Sequence, residues 1–189
     1  MQTLNEDQWV AVKNIGFGSI LGFKMCQISS ALGWCHHIQI TEELVNDIFG
    51  VPRGKVEIKE AERARADFHE VVVEWRSQFE NAPTRLTPFQ YKTYMQAQNA
   101  SGRIFVLNFL LFYNTLLGET THNSSINMRF LPALRQGIKI KSFNWCEYMI
   151  RCLDRIVDEW LPKDCFLGPM PLLVVCFEYL HTFVCIQFS

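Results

Sequence analysis

A chain of 189 residues is most simply one domain, long enough to bury about 70% of the surface its unfolded form exposes. With 49% hydrophobic and 20% charged residues, it is a core-former and not a disordered tail. A formal net charge of −1 excludes the broad basic excess of a nucleic-acid coat and an acidic block for a basic partner, while leaving local patches open.

Thr3 and Glu6 have the spacing of a capping box, which predicts a short helix to about Lys13. Ile15-Gly16-Phe17-Gly18 breaks it as a turn. A dinucleotide loop would need a preceding strand and a third glycine, where Leu21 stands. Short helices are expected over Ser19 to Met25 and Ser30 to His37. Thr41 caps Glu42 to Phe49, and Gly50 ends it. Val51 to Gly54 reads as a turn and Val56 to Ile58 as a short extended piece, too little for a sheet.

Glu60 to Phe79 repeats apolar residues at spacings of three and four, with charges opposite, and predicts one amphipathic helix. Asn81 to Leu86 is a linker. Thr87, Pro88 and Gln90 start a helix to about Gln98. Ile104 to Leu117 (IFVLNFLLFYNTLL) has almost no polar face, so it should be the buried centre, stopped by Gly118. Asn127 caps Met128 to Arg135, Pro132 bending or shortening it, with Gly137 as the stop. Asn144 and Glu147 box Trp145 to Trp160, whose stripe is Trp145, Met149, Cys152, Leu153, Ile156 and Trp160. Pro162 ends it, and a last helix runs from Pro169 or Pro171 to about Phe183. The expectation is an all-α, single irregular domain of nine or ten helices around 104–117. It spans residues 1–180, with a divergent tail at 181–189.

Seven cysteines without paired spacing and no signal peptide point to free thiols in a reducing, intracellular setting, with a nuclear location left open. The triplets at Asn99 and Asn123 are then not glycosylated. Residues 104–117 are too short to span a bilayer, and 165–188 would place Glu178 near its middle, which makes a buried helix the better reading.

Chemistry is hard to find. Cys26, Cys35, His36 and His37 lack the close pair of structural zinc sites, and adjacent helical histidines diverge by about 100°. Asp164-Cys165 is followed by Phe166 where an oxyanion turn favours glycine. No P-loop occurs, and Asp158-Glu159 lie together on a solvated face. Arg53, Lys55, Lys139 and Lys141 are basic loop residues; Arg135, Lys139 and Lys141 with Phe143 form a small candidate phosphate patch, set against the commoner reading of a solvated loop. No catalytic, cofactor-binding or metal residue is assigned.

Several stretches together resemble the plant mobile domain family (also called aminotransferase-like plant mobile domain). They are Ile15 to Leu21, Val45 to Gly54, Phe105 to Gly118, Asn144 to Tyr148, and Phe166 to Pro169 followed by Leu172 to Leu180. That resemblance implies a helical domain of transposable-element ancestry in plants, without a catalytic role of its own, sometimes fused to a SUMO-type cysteine protease. The end, His181 to Cys185, departs from the family pattern and suggests a truncated product. The expectations are therefore a non-enzymatic module binding protein or nucleic acid. Behind it stand an N-terminal fragment of a SUMO-type protease and a DNA-associated transposase accessory. No cofactor or small-molecule ligand is inferred, and a membrane is not an expected partner.

Overall fold

The computed structural model describes residues 4–18, 40–61, 69–80, 86–118, 126–135, 137, 139–159, 168, 169, 172 and 174. Six α-helices lie within them: α1 (Glu6–Asn14), α2 (Glu42–Phe49), α3 (Glu70–Arg76), α4 (Pro88–Ala97), α5 (Arg103–Leu117) and α6 (Trp145–Glu159). Among the described residues there is no strand, only two isolated bridges, Arg53 with Asn144 and Val56 with Phe143. The protein is all-α there. The helices expected over 19–25 and 30–37 lie outside the described residues. So does most of the last one, of which Leu172 and Val174 are helical and buried.

Local chemistry sets most helix ends. The Thr41 hydroxyl accepts from Leu44 N at 3.2 Å, and Gly50 closes α2 at φ 59°. Thr87 and Gln90 cap each other at the start of α4, with Pro88 in its first turn. At α1 the expected Thr3 box is corrected. Asn5 is the cap: its Oδ1 accepts from Gln8 N at 2.9 Å, and Gln8 Oε1 accepts from Asn5 N at 3.1 Å. The same capping logic applies two residues later, because Gln8 also donates to the Gln98 and Ala100 carbonyls and fastens α1 to the α4–α5 connection.

The single helix expected over 60–79 is also corrected. His69 is extended at ψ 140°, and its Nδ1 accepts from Val71 N at 3.4 Å, so α3 begins at Glu70. Glu60 and Ala61 are not helical; Ala61 N donates to the Arg129 carbonyl instead. The helix expected over 128–135 contracts to a 3-10 turn, Leu131–Ala133. Pro132 lacks the N–H an α-helix needs, while Asn127 Oδ1 accepts from Arg129 N in a tight local turn. At α6, Asn144 Oδ1 accepts from Glu147 N at 3.1 Å, but the Asn144 N–H goes to the Val56 carbonyl rather than back to Glu147.

α5 occupies the centre as expected, most of its side chains from Phe105 to Leu117 buried and Leu116 exposed, with α1, α3 and α4 packed against it. α2 packs on α6, whose buried stripe is Trp145, Met149, Cys152, Leu153 and Ile156; Trp160 lies outside the described residues. Phe17 joins the two halves, edge-on to Phe109, Tyr113 and Trp145 at centroid distances of 5.9, 4.8 and 5.1 Å. Among the described residues, no helix is long and apolar enough to cross a membrane.

Candidate functional site

Titratable groups concentrate where the extended piece before Ala61 crosses α6. Ile58 is buried and pins that piece, leaving Glu60 facing the helix. Tyr148, Arg151, Cys152 and Arg155 recur at three- and four-residue spacing, so one face of α6 presents them all. Arg155 donates from Nη1 to Glu60 Oε2 at 2.9 Å and from Nη2 to Oε1 at 3.3 Å. Tyr148 Oη donates to Oε1 at 2.7 Å, and Arg129 Nη2 stands 3.1 Å from Oε2. Beside them Arg151 donates to Glu57 Oε1 at 2.5 Å and to the Ile58 carbonyl at 2.7 Å. A cavity of about 140 Å³ lies between Ile58, Glu60, Tyr148, Arg151, Cys152 and Arg155.

Burial raises the Glu60 carboxyl, but the Arg155 and Tyr148 hydrogen bonds and the charges of Arg155 and Arg129 outweigh it and hold the group below the usual carboxylate range. The Glu60 side chain is only 10% exposed, and both its oxygens already accept from α6. Burial also pushes the Tyr148 hydroxyl well above its ordinary value, with neighbouring Cys152 and Glu60 adding to the shift. Among the described residues, three guanidiniums (Arg129, Arg151, Arg155) face three carboxylates (Glu57, Glu60, Glu147). The chemistry of the cluster is that of a clamp between α6, the 52–61 segment and Arg129.

Among the described residues outside this cluster, the Cys146 thiol is quiet. Cys146 Sγ lies 3.5 Å from the Val51 carbonyl, and burial, helped by the Glu42 charge, pushes its thiol up to about 12. Among the described residues, no group of three or more His, Cys, Asp and Glu side chains is placed to hold a metal. Cys26, Cys35, His36, His37, Asp164 and Cys165 lie outside the described residues.

The candidate phosphate patch loses its aromatic member. Phe143 is 2% exposed and packs against Trp145, so it is a core ring and not a stacking platform. Arg53 pairs with Glu42 at 3.2 Å and with Glu43. Lys55, Arg135, Lys139 and Lys141 remain exposed. Reading the sequence missed the Glu60 clamp altogether. Glu60 belongs to a periodic charged run, and nothing local links it to Tyr148, 88 residues away.

No curated protein and no solved structure matches this chain. The resemblance to the plant mobile domain is overturned by the family model that does match, which describes a different family. The implied transposon ancestry and SUMO-protease context go with it. That match covers residues 35–174, from before α2 to the buried Val174, and the chain therefore belongs to the family described as Domain of unknown function (DUF8566).

Proposed function

We propose that this domain is a non-catalytic, intracellular binding module for other macromolecules, protein or nucleic acid. The observation that carries the reading is how the reactive groups are used. Glu60 is bound by two arginines and a tyrosine, and the Cys146 thiol is buried beside a carbonyl. A group held this way supports structure and has little left for proton or acyl transfer. Phe89, by contrast, is 77% exposed in the first turn of α4, on a helix start fixed by its own capping box. The buried Cys146 thiol, which is in no disulfide, supports the intracellular setting. The sequence-based count of nine or ten helices around α5 belongs to the same proposal.

Photo-crosslinking tests it. A benzophenone amino acid at position 89 in the full chain should yield discrete adducts in its own cells, while the same group at exposed Gln96 on α4 should not. Equal, diffuse labelling at both positions would count against a binding module at this surface.

A further inference from the structure

Three separated segments meet at one edge of the molecule and bring lysines with them. Gly16 N donates to the Lys13 carbonyl at 2.9 Å, and a Cβ built on Gly16 would stand 3.5 Å from Lys141 Cβ, so the end of α1 abuts the 3-10 turn Ile140–Ser142. The segment around Lys55 is laced to that turn, with Gly54 N donating to the Phe143 carbonyl at 3.0 Å and Val56 N to the Ser142 carbonyl at 2.9 Å. Lys139 opens the turn, its carbonyl accepting from Ser142 N and Oγ.

Lys13, Lys55, Lys139 and Lys141 are all exposed, and none makes an ion pair among the described residues. The arginines at positions 53, 103, 129, 151 and 155, by contrast, are all spent on carboxylates. Arg53 engages both Glu42 and Glu43, the acidic residues that flank this edge. Counting the four lysines and Arg53 against these two glutamates leaves +3 here, in a chain whose formal net charge is −1. The charge is segregated. The Lys13 ammonium sits 5.6 Å from the centroid of the half-exposed Trp9 ring, so an aromatic surface accompanies the positive one.

We infer that this lysine edge docks the phosphate backbone of nucleic acid, which names a partner class for the binding module proposed above and rests on that reading. Lysines are point charges suited to phosphate positioning without base readout, so the binding is sequence-independent. Duplex fits better than a small anion, because the four lysines are spread over three separate segments along the edge.

Fluorescence anisotropy of the full chain with a mixed-sequence labelled duplex of about 20 base pairs, from 20 to 200 mM salt, tests it. The slope of log K against log salt should lie between about −2 and −4, given about 0.9 per neutralised phosphate. Lys139→Ala and Lys141→Ala should each flatten it by about one, whereas Lys92→Ala on α4 leaves it unchanged. No duplex binding at 20 mM salt overturns the inference. So does a slope indifferent to the lysine substitutions, or capture of polyglutamate or phosphatidylserine vesicles in place of the duplex. If duplex binding is absent while adducts at position 89 persist, this inference falls and the binding-module reading stands.

Discussion

Trp75 Nε1 donates to Asn108 Oδ1 at 2.7 Å, across the contact between α3 and α5 and out of reach of water. Asn108 is 0% exposed and uses both ends of its amide. Its oxygen also accepts from Tyr91 Oη at 2.6 Å, and its nitrogen donates to Gln78 Oε1 and Gln98 Oε1 at 2.9 and 2.7 Å. One polar residue in an apolar helix therefore fixes how α3 and α4 sit on α5. Asn114 on the same helix is almost as deeply buried, yet its Nδ2 has no hydrogen-bond partner among the described residues. Asn108→Leu should cost about 3 kcal/mol or more, because the Trp75 and Tyr91 donors are left unpaired. Asn114→Leu, which removes an orphan, should change stability by less than about 1 kcal/mol. Urea unfolding midpoints measure both, and equal losses would refute the hub.

Gly54 is required by close approach. A Cβ there would overlap the Ser142 carbonyl, to which the neighbouring Val56 N–H is bonded. Gly54→Ala should destabilise by about 1–3 kcal/mol. Gly102, the cap of α5, has no side chain to bond the first turn, and no described residue lies within 4 Å of its Cβ position. Gly102→Ser should stabilise by a few tenths of a kcal/mol, supplying the missing cap. Thermal melts of the two variants should move in opposite directions.

The Glu60 clamp gives stability a pH dependence. Its carboxyl is held below its ordinary value in the fold, so the unfolded chain takes up the proton first. The stabilisation is complete above the unfolded value of about 4.3 and is lost as pH falls through the lower folded one. Glu60→Gln should cost about 3 kcal/mol at pH 7, leaving Arg155 and Arg129 against a neutral amide. The gap to the wild type should close below pH 4. A gap independent of pH, read from denaturation curves between pH 3 and 7, would contradict this.

Cys146 offers a chemical readout. With its thiol pushed to about 12 and its side chain buried, it should resist iodoacetamide at pH 8 in the folded protein. Peptide mapping should find it alkylated only in denaturant. Rapid labelling under native conditions would mean that α6 opens on its own.

The centre of this fold is readable from residues 103–118, because a run of apolar side chains too long for a strand has only one way to be buried. Caps such as Thr41 with Gly50 and Thr87 with Gln90 are readable because their chemistry is complete within ten or four residues. The break at His69 is not, since apolar periodicity continues across it and a histidine cap lacks the Ser, Thr, Asp or Asn signature. Nor was the shortening around Pro132 fully placed. The proline signals a weakened helix, but the local turn at Asn127 decides how little remains. The Glu60 clamp, and the place of Lys13 beside the basic loop residues Lys55, Lys139 and Lys141, are invisible for a different reason. Their members come from distant segments, and only the folded chain juxtaposes them.

The division of labour between these two places is tested most directly by the affinity of folded Glu60→Gln for the labelled duplex at 20 mM salt, beside that of the Lys139→Ala and Lys141→Ala double variant. Glu60→Gln should unfold at lower urea yet bind as the wild type does, and the double variant should melt as the wild type does yet bind more weakly. A folded Glu60→Gln protein that loses binding, with the lysine variant unaffected, would place function at the Glu60 cavity and contradict the account.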